Sequence, residues 1–442
     1  MTFTDTAITK LLRNRYRDYD AEGVLALLVF ALGQLAIGSV IGRPTAASSI
    51  NDSGFCGGTI EKPPGLGLFN EARRRIGMVA SACRLENVHI MLLQATYFEA
   101  SGRHSDFWSS VSSASMACIY LIKRQTLDWS SVHGDLIKRA FWICVYHERL
   151  FDLELRVAST GIETMEDDVP LPHFHELYFG KGECTACPPN RPQTHSGMHQ
   201  SKWAYCFTAM ITLSRILRRA EPVVREYETW FGNDTRHIWR VFEVQNDFHP
   251  MATDSDRQEY CKPSLGMINE LVHQLETWRA SLPQELNWND DEHFDFSKVQ
   301  PNTPGVPHNL SSLRTFETTY NVDMALAQLR SRFYNARFVI HRPFIYKVLH
   351  TPELANAEDQ VRCIHGIRAA CSWPISLLPP SDKKHLVLHL FSCTQNFLAI
   401  LLVLTMCQTK AHLANVCQNG GIKEEDIEKT KRFVVEWLED VA

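Results

Sequence analysis

The chain has 442 residues, with 45 Lys and Arg against 50 Asp and Glu, for a net charge of −5. A hydrophobic share of 45% and a charged share of 21% fit a chain that buries a substantial core and exclude intrinsic disorder. The acidic balance excludes a histone-like or arginine-rich polyanion binder and leaves room only for a local basic patch.

Residues 1–20 form a polar, charged N-terminal segment without the apolar core or cleavage site of a signal peptide. Residues 23–42 and 386–408 carry no Asp, Glu, Lys or Arg, and each is long enough to span a bilayer. Polar and small residues interrupt both, Gly33, Gln34 and Gly38 in the first and His389, Gln395 and Asn396 in the second. Neither has a flanking aromatic belt or a basic stop-transfer cluster. The expectation is two buried core helices and no membrane partner. Residues 46–68 have the Gly, Pro and Ser density of a long connection.

Helical spacing then dominates. Apolar residues recur at i, i+3 and i+4 over 72–83, 88–100 and 135–149, and 107–121 is a further helical segment rich in Ser and Ala, whose small residues let neighbouring helices approach closely. Over 135–149, Lys138 and Arg139 fall opposite the apolar stripe, which predicts that they face solvent. Residues 180–197 and 287–309 read as exposed loops, the second marked by Pro301, Pro304 and Pro307. Helices resume over 311–341, 360–370 and 386–407. His341-Arg342-Pro343 marks a predicted helix end, because a proline disfavours helical geometry at the preceding residue. The last segment, 424–441, places Ile427, Val434, Trp437, Leu438 and Val441 on one face behind an acidic first turn. Strand-like alternation is scarce. The expected fold class is all-α: one large helical domain of packed antiparallel helices with long loops over 21–410, then a C-terminal amphipathic helix within 411–442.

Motifs for chemistry are sparse. The 13 cysteines are an odd number, and many sit in apolar stretches, as reduced, buried thiols of an intracellular protein do. No nucleophile elbow, phosphate-binding loop or His-Glu-x-x-His zinc helix occurs. Nothing in the pattern names a catalytic acid or base. Cys184-x2-Cys187 followed by His195-x3-His199, with His173 and His175 upstream, supplies the thiolates and imidazoles that tetrahedral zinc uses. The gap from Cys187 to His195 is shorter than in ordinary two-Cys, two-His fingers, and two prolines follow Cys187 directly. These residues are weak metal candidates, and no metal or other cofactor is expected. The basic groups Arg73–Arg75, Lys138-Arg139, Arg215, Arg218-Arg219 and Lys429–Arg432 are dispersed, as on a solvated exterior.

Several blocks in order resemble the fungal-specific transcription factor regulatory domain, the middle homology region of fungal zinc-cluster regulators. The most specific runs from Lys138-Arg139-Ala140-Phe141-Trp142 through Tyr146 and Glu148-Arg149 to Asp167-Asp168-Val169-Pro170-Leu171-Pro172. Phe69-Asn70-Glu71-Ala72, Trp278-x3-Leu282-Pro283 and Tyr334-x6-His341-Arg342-Pro343-Phe344 extend it over most of the chain. The family's Asp-Arg reads Glu148-Arg149 here. Phe141, Trp142, Arg149, Asp168, Pro170, Pro172, His341, Arg342 and Pro343 are read as fold-keeping, with Glu148 or the Asp167-Asp168 turn neutralising Arg149. The resemblance implies a nuclear transcriptional regulator of a metabolic or secondary-metabolite gene set. It would act through a small-molecule effector, through the transcription machinery or a partner regulator, or as a homodimer. The family's N-terminal zinc cluster needs paired CxxC blocks, yet the first cysteine is Cys56. Zinc is therefore expected only in that missing cluster, and this chain alone is expected to bind DNA without sequence specificity. The alternative is a cytoplasmic natural-product pathway protein, a cyclase, isomerase or small-molecule binder, on the same scaffold.

Overall fold

The computed structural model describes residues 20–41, 62–79, 84–124, 126–155, 159–174, 194–231, 265–288, 310–376 and 390–441. Among them are twelve α-helices, three short 3₁₀ turns and no strand, so the all-α class is what the chain adopts. Of the expected loops at 46–68, 180–197 and 287–309, residues 46–61, 180–193 and 289–309 lie outside the described residues, as do Cys184, Cys187 and His175; residues 66–68 and 194–197 are helical, so the first two loops end earlier than their composition suggests.

Helix α1 (Ala21–Ile41) is apolar nearly all round and buries Val24, Leu28 and Ala31 completely. It packs on α2 (Leu66–Val79) and α3 (Leu85–Ala100). The close approach depends on Gly65. Its φ is +78°, and a Cβ there would lie 2.4 Å from the Ala31 carbonyl oxygen, so no other residue fits. Tyr97 stacks on Phe69 at 3.9 Å, and its hydroxyl donates to the Pro64 carbonyl at 2.9 Å. These contacts form one small apolar cluster.

Helix α4 (His104–Arg124) follows after a short turn and buries Phe107, Val111, Ala114, Cys118 and Leu121 along one stripe. Helix α5 (Val132–Leu155) packs against it through Ile137, Ala140, Phe141 and Cys144 in a second cluster. Lys138 is fully buried rather than solvent-facing, which corrects the sequence reading. Its Nζ lies 3.2 Å from the buried Asp135 carboxylate, which also takes Arg139 at 2.7 Å and the His173 N–H at 2.7 Å. Burial raises the Asp135 pKa, but the His173, Arg139 and Lys138 hydrogen bonds outweigh it and hold the carboxyl below its usual range. The apolar stripe of α5 is wide enough to include a charge that has its counter-charge beside it.

The remaining helices build the third and largest cluster. Helix α6 (Thr194–Phe231) is its shared wall. Ile211 faces the α4–α5 cluster, whereas Leu213, Ile216, Leu217 and Ala220 face the larger one. Helix α7 (Leu265–Ala280) lies against α6. The spine is α8 (Leu310–His350), 41 residues long, and α9 (Ala357–Ser376) returns antiparallel along it. Helix α8 runs straight through Pro343, so the predicted helix end is wrong. A proline removes one backbone hydrogen bond and costs about 3 kcal/mol in a free helix. Here Phe338, Ile340, Phe344, Ile345 and Val348 are all buried on both sides of it, each contributing about 1.5–3 kcal/mol. Tertiary burial outweighs the local preference. Gly366 lets the two helices meet, since a Cβ there would lie 3.0 Å from Ile345 Cδ1.

Helices α10 (Leu390–Thr409), α11 (Ala411–Asn419) and α12 (Glu424–Val441) close this cluster with Phe397, Ile400, Leu404, Leu413, Ile427, Val434 and Trp437. No single described helix is long and apolar enough to cross a membrane; α10 and α11 pass that test only as a pair bent by 90°. Eight cysteines fall on described helices, and all are buried free thiols.

Candidate binding cleft

The block from Phe141 to Pro172 converges on one place. Arg149 stands near the end of the buried stretch of α5, where an unpaired guanidinium would be costly. Its partner is Glu166, not Glu148 or the Asp167-Asp168 pair. The Arg149 Nη2 donates to Glu166 Oε1, and Nη1 donates to Ser214 Oγ on α6 at 2.8 Å. Glu148 instead accepts from the Thr160 N–H at 3.0 Å and the Thr160 hydroxyl at 2.6 Å. That holds the chain entering the 3₁₀ turn Ile162–Met165, which delivers Glu166. Trp142 Nε1 donates to the Pro170 carbonyl at 3.1 Å, fastening the far side of the turn.

Glu166 is buried and carries more than Arg149. Arg218 Nη1 donates to the same Oε1 at 3.0 Å, and Arg215 Nε lies 3.8 Å from Oε2. Arg215 also reaches Asp167 at 3.6 Å and sits 5.8 Å over the Trp142 ring. Burial pulls the Arg149 pKa down, Glu166 counters it, and Arg218 and Arg215 add to the depression. Three guanidiniums thus compete for one buried carboxylate.

They do so at the edge of a cleft of about 740 Å³ between α6 and α7. The α6 wall presents Arg215, Arg218 and Arg219 at i, i+3 and i+4, with Thr212 and Ile216 below them. The α7 wall presents Glu270, His273, Gln274 and Thr277, with Trp278 beneath. The Trp278 Nε1 donates to Thr212 Oγ1 at 2.9 Å, so the two walls are fixed to each other at the floor. Arg219 makes no ion pair with any described residue; its Nε donates to the Arg215 carbonyl at 3.4 Å. Gln274 Nε2 donates to Glu270 at 2.7 Å, while its Oε1 is buried and accepts nothing. Because an ionised carboxylate only accepts, the amide must keep its NH₂ toward Glu270.

Trp142, Arg149 and Pro170 do not line the cleft; Arg149 lies one contact behind it through Glu166, Trp142 lies under Arg215, and Pro170 is bonded to Trp142. Phe141 is core, Pro172 is buried and Asp168 is exposed in the turn. His341, Arg342 and Pro343 lie elsewhere, midway along α8. There the His341 ring is buried, with Nδ1 2.8 Å from the Arg337 carbonyl and its centroid 5.6 Å from that of His365. Burial is the first cause that pushes its pKa down, to about 4. His195 and His199 fall on the first turns of α6, and among the described residues no three metal-ligating side chains gather. By their dispersal in the sequence, Arg215, Arg218 and Arg219 read as part of a solvated exterior. Their i, i+3, i+4 spacing, matched by Glu270, His273 and Gln274 on α7, is the signal that could have found the cleft. No known protein family, curated protein or solved structure matches the chain.

Proposed function

We propose that the chain is the effector-sensing regulatory domain of a nuclear transcriptional regulator of the fungal zinc-cluster type, controlling a metabolic or secondary-metabolite gene set. One observation carries this reading. The block that resembles the family's most specific segment meets a ligand-sized cleft, which Asp167 lines and to which Arg149 is tied through the lining residue Glu166. The cleft's volume falls within the range of small-molecule sites. A ligand that draws Arg215 or Arg218 off Glu166 changes the balance at the Arg149–Glu166 ion pair, and Arg149 is also bonded to Ser214 on α6. Because α6 walls both the α4–α5 cluster and the largest cluster, a shift there reaches both. This is the differential contact that an effector needs in order to bias two states.

The test is a fusion of the full chain to a heterologous DNA-binding domain at a reporter promoter. The expected result is at least a tenfold change in transcription relative to the DNA-binding domain alone. Output equal to that control overturns the reading. The unfused chain should bind duplex DNA weakly and without sequence preference, and moderate salt should abolish that binding. A second reading, a natural-product pathway enzyme, draws on Glu270 and His273, two groups able to move protons within the same cleft. Turnover of a bound compound by purified chain would favour it.

A further inference from the structure

We infer that the cleft between α6 and α7 binds a hydroxylated organic acid, its carboxylate held by Arg218 and Arg219 and its hydroxyl donating to Gln274. This names the effector class for the regulatory reading above and rests on that reading for its biological purpose, though not for its chemistry.

The argument begins with charge. Arg149, Arg215 and Arg218 share the single buried carboxylate of Glu166. The Asp167 side chain is 96% exposed and 3.6 Å from Arg215, so it offers little in water. Arg219 has no carboxylate partner among the described residues. The α6 wall is thus short of anions beside a low-dielectric floor of Ile216 and Trp278. Guanidiniums in that setting select a planar carboxylate that can take two N–H donors at once. A simple inorganic ion would satisfy the charge but would leave most of a cleft of about 740 Å³ and its apolar floor unfilled.

The opposite wall adds the second element. The Gln274 Oε1 is buried with no donor, and the bond from Nε2 to Glu270 prevents the amide from turning to hide it. Leaving such an acceptor unsatisfied is costly. A ligand hydroxyl crossing from α6 to α7 removes that cost. Carboxylate at one wall, apolar body over the floor and hydroxyl at the other wall together define the class.

The experiment is calorimetric titration of the full chain at physiological ionic strength with 6-hydroxy-2-naphthoate, its methyl ester and 2-naphthoate. The hydroxy acid is expected to bind saturably at one site. The ester should bind at least tenfold more weakly, and so should the hydroxy acid to the double variant R218Q/R219Q. Both arginines are exposed, so that variant should fold, and Arg432→Gln on α12 serves as the distant control with unchanged affinity. Gln274→Ala should erase the preference for 6-hydroxy-2-naphthoate over 2-naphthoate. Equal binding of acid and ester, wild-type affinity in R218Q/R219Q, or no saturable binding overturns the inference. Binding that follows this pattern beside a silent reporter fusion removes the regulatory reading and leaves the site.

Discussion

Two buried carboxylates in this protein live in opposite electrical circumstances. Asp359, at the start of α9, is balanced. Its Oδ2 accepts from Lys347 Nζ at 2.6 Å and from the Asn356 N–H at 3.0 Å, while the Asn356 side chain accepts from the Asp359 N–H at 2.8 Å. This reciprocal cap satisfies the helix start as well as the charge. The neighbouring Arg362 is served separately by Glu358 and by Asn269 at 3.0 Å. Glu166 is overdrawn, with Arg149, Arg218 and Arg215 around it, and it opens on a cleft. The balanced station joins two helices and needs nothing further. The overdrawn one joins α5 to α6 and leaves cationic capacity for something from outside. Where local charge closes, the role is architectural; where it does not and the site opens on a cleft, the proposed ligand would complete it.

The largest test of that contrast is Glu166→Gln. It strands Arg149 in a buried site, and loss of one partner of such a pair costs about 3–5 kcal/mol. Urea unfolding of the variant against wild type measures it. A cost below about 1 kcal/mol would show that Glu166 is not the pivot described.

The C-terminal region should carry a marked acid sensitivity. His341 is buried, and its pKa is lowered from 6.5 to about 4 by burial first, with His365, Arg337 and Arg362 adding to the effect. The unfolded chain therefore takes up a proton near pH 6.5 that the folded chain refuses until about pH 4. Stability is full above 6.5 and falls as pH drops through that window, by about 3 kcal/mol in total. Unfolding curves from pH 7.5 to 4 should show the decline, and His341→Gln should flatten it. A wild-type curve level across the window would contradict the burial of a neutral imidazole.

Asp359→Asn should cost less than Glu166→Gln, about 1.5–3 kcal/mol, the worth of a hydrogen bond to a charged group. An equal or greater cost would reverse the ranking of the two stations. The smallest effect belongs to Arg218→Gln without ligand. Its side chain is 46% exposed, so the pair with Glu166 is screened and its loss should shift stability by about 0–1 kcal/mol. A larger loss would make Arg218 part of the frame rather than part of a binding wall.

Much of the architecture is legible in the residue order. The stripe Ile427, Val434, Trp437 on α12 faces the core as its spacing says, because a helix converts linear period into a face. The charge-free segment near the N-terminus is helix α1, which buries Val24, Leu28 and Ala31 and leaves Val29 and Phe30 exposed. Phe141 and Trp142 are buried anchors, as bulky aromatics on an apolar stripe tend to be. These features depend on residues within a few turns of each other, so local periodicity suffices to read them.

Pairing across the fold was decided only in three dimensions. Lys138 reads as a solvent residue, yet packing buries it beside Asp135, one turn away, whose carboxylate also accepts from the His173 N–H 38 residues on. Pro343 reads as a helix end until burial on both sides of it outweighs one lost backbone bond. Arg149 had three candidate neighbours nearby in sequence, yet it takes Glu166 and, 65 residues away, Ser214. The cleft exists because α6 and α7 lie side by side and Trp278 bonds Thr212 across 66 residues. Helix and face follow from local steric and hydrophobic period, which the residue order determines by itself. Charge partners and cavities follow from which distant surfaces meet, and that only the tertiary structure decides.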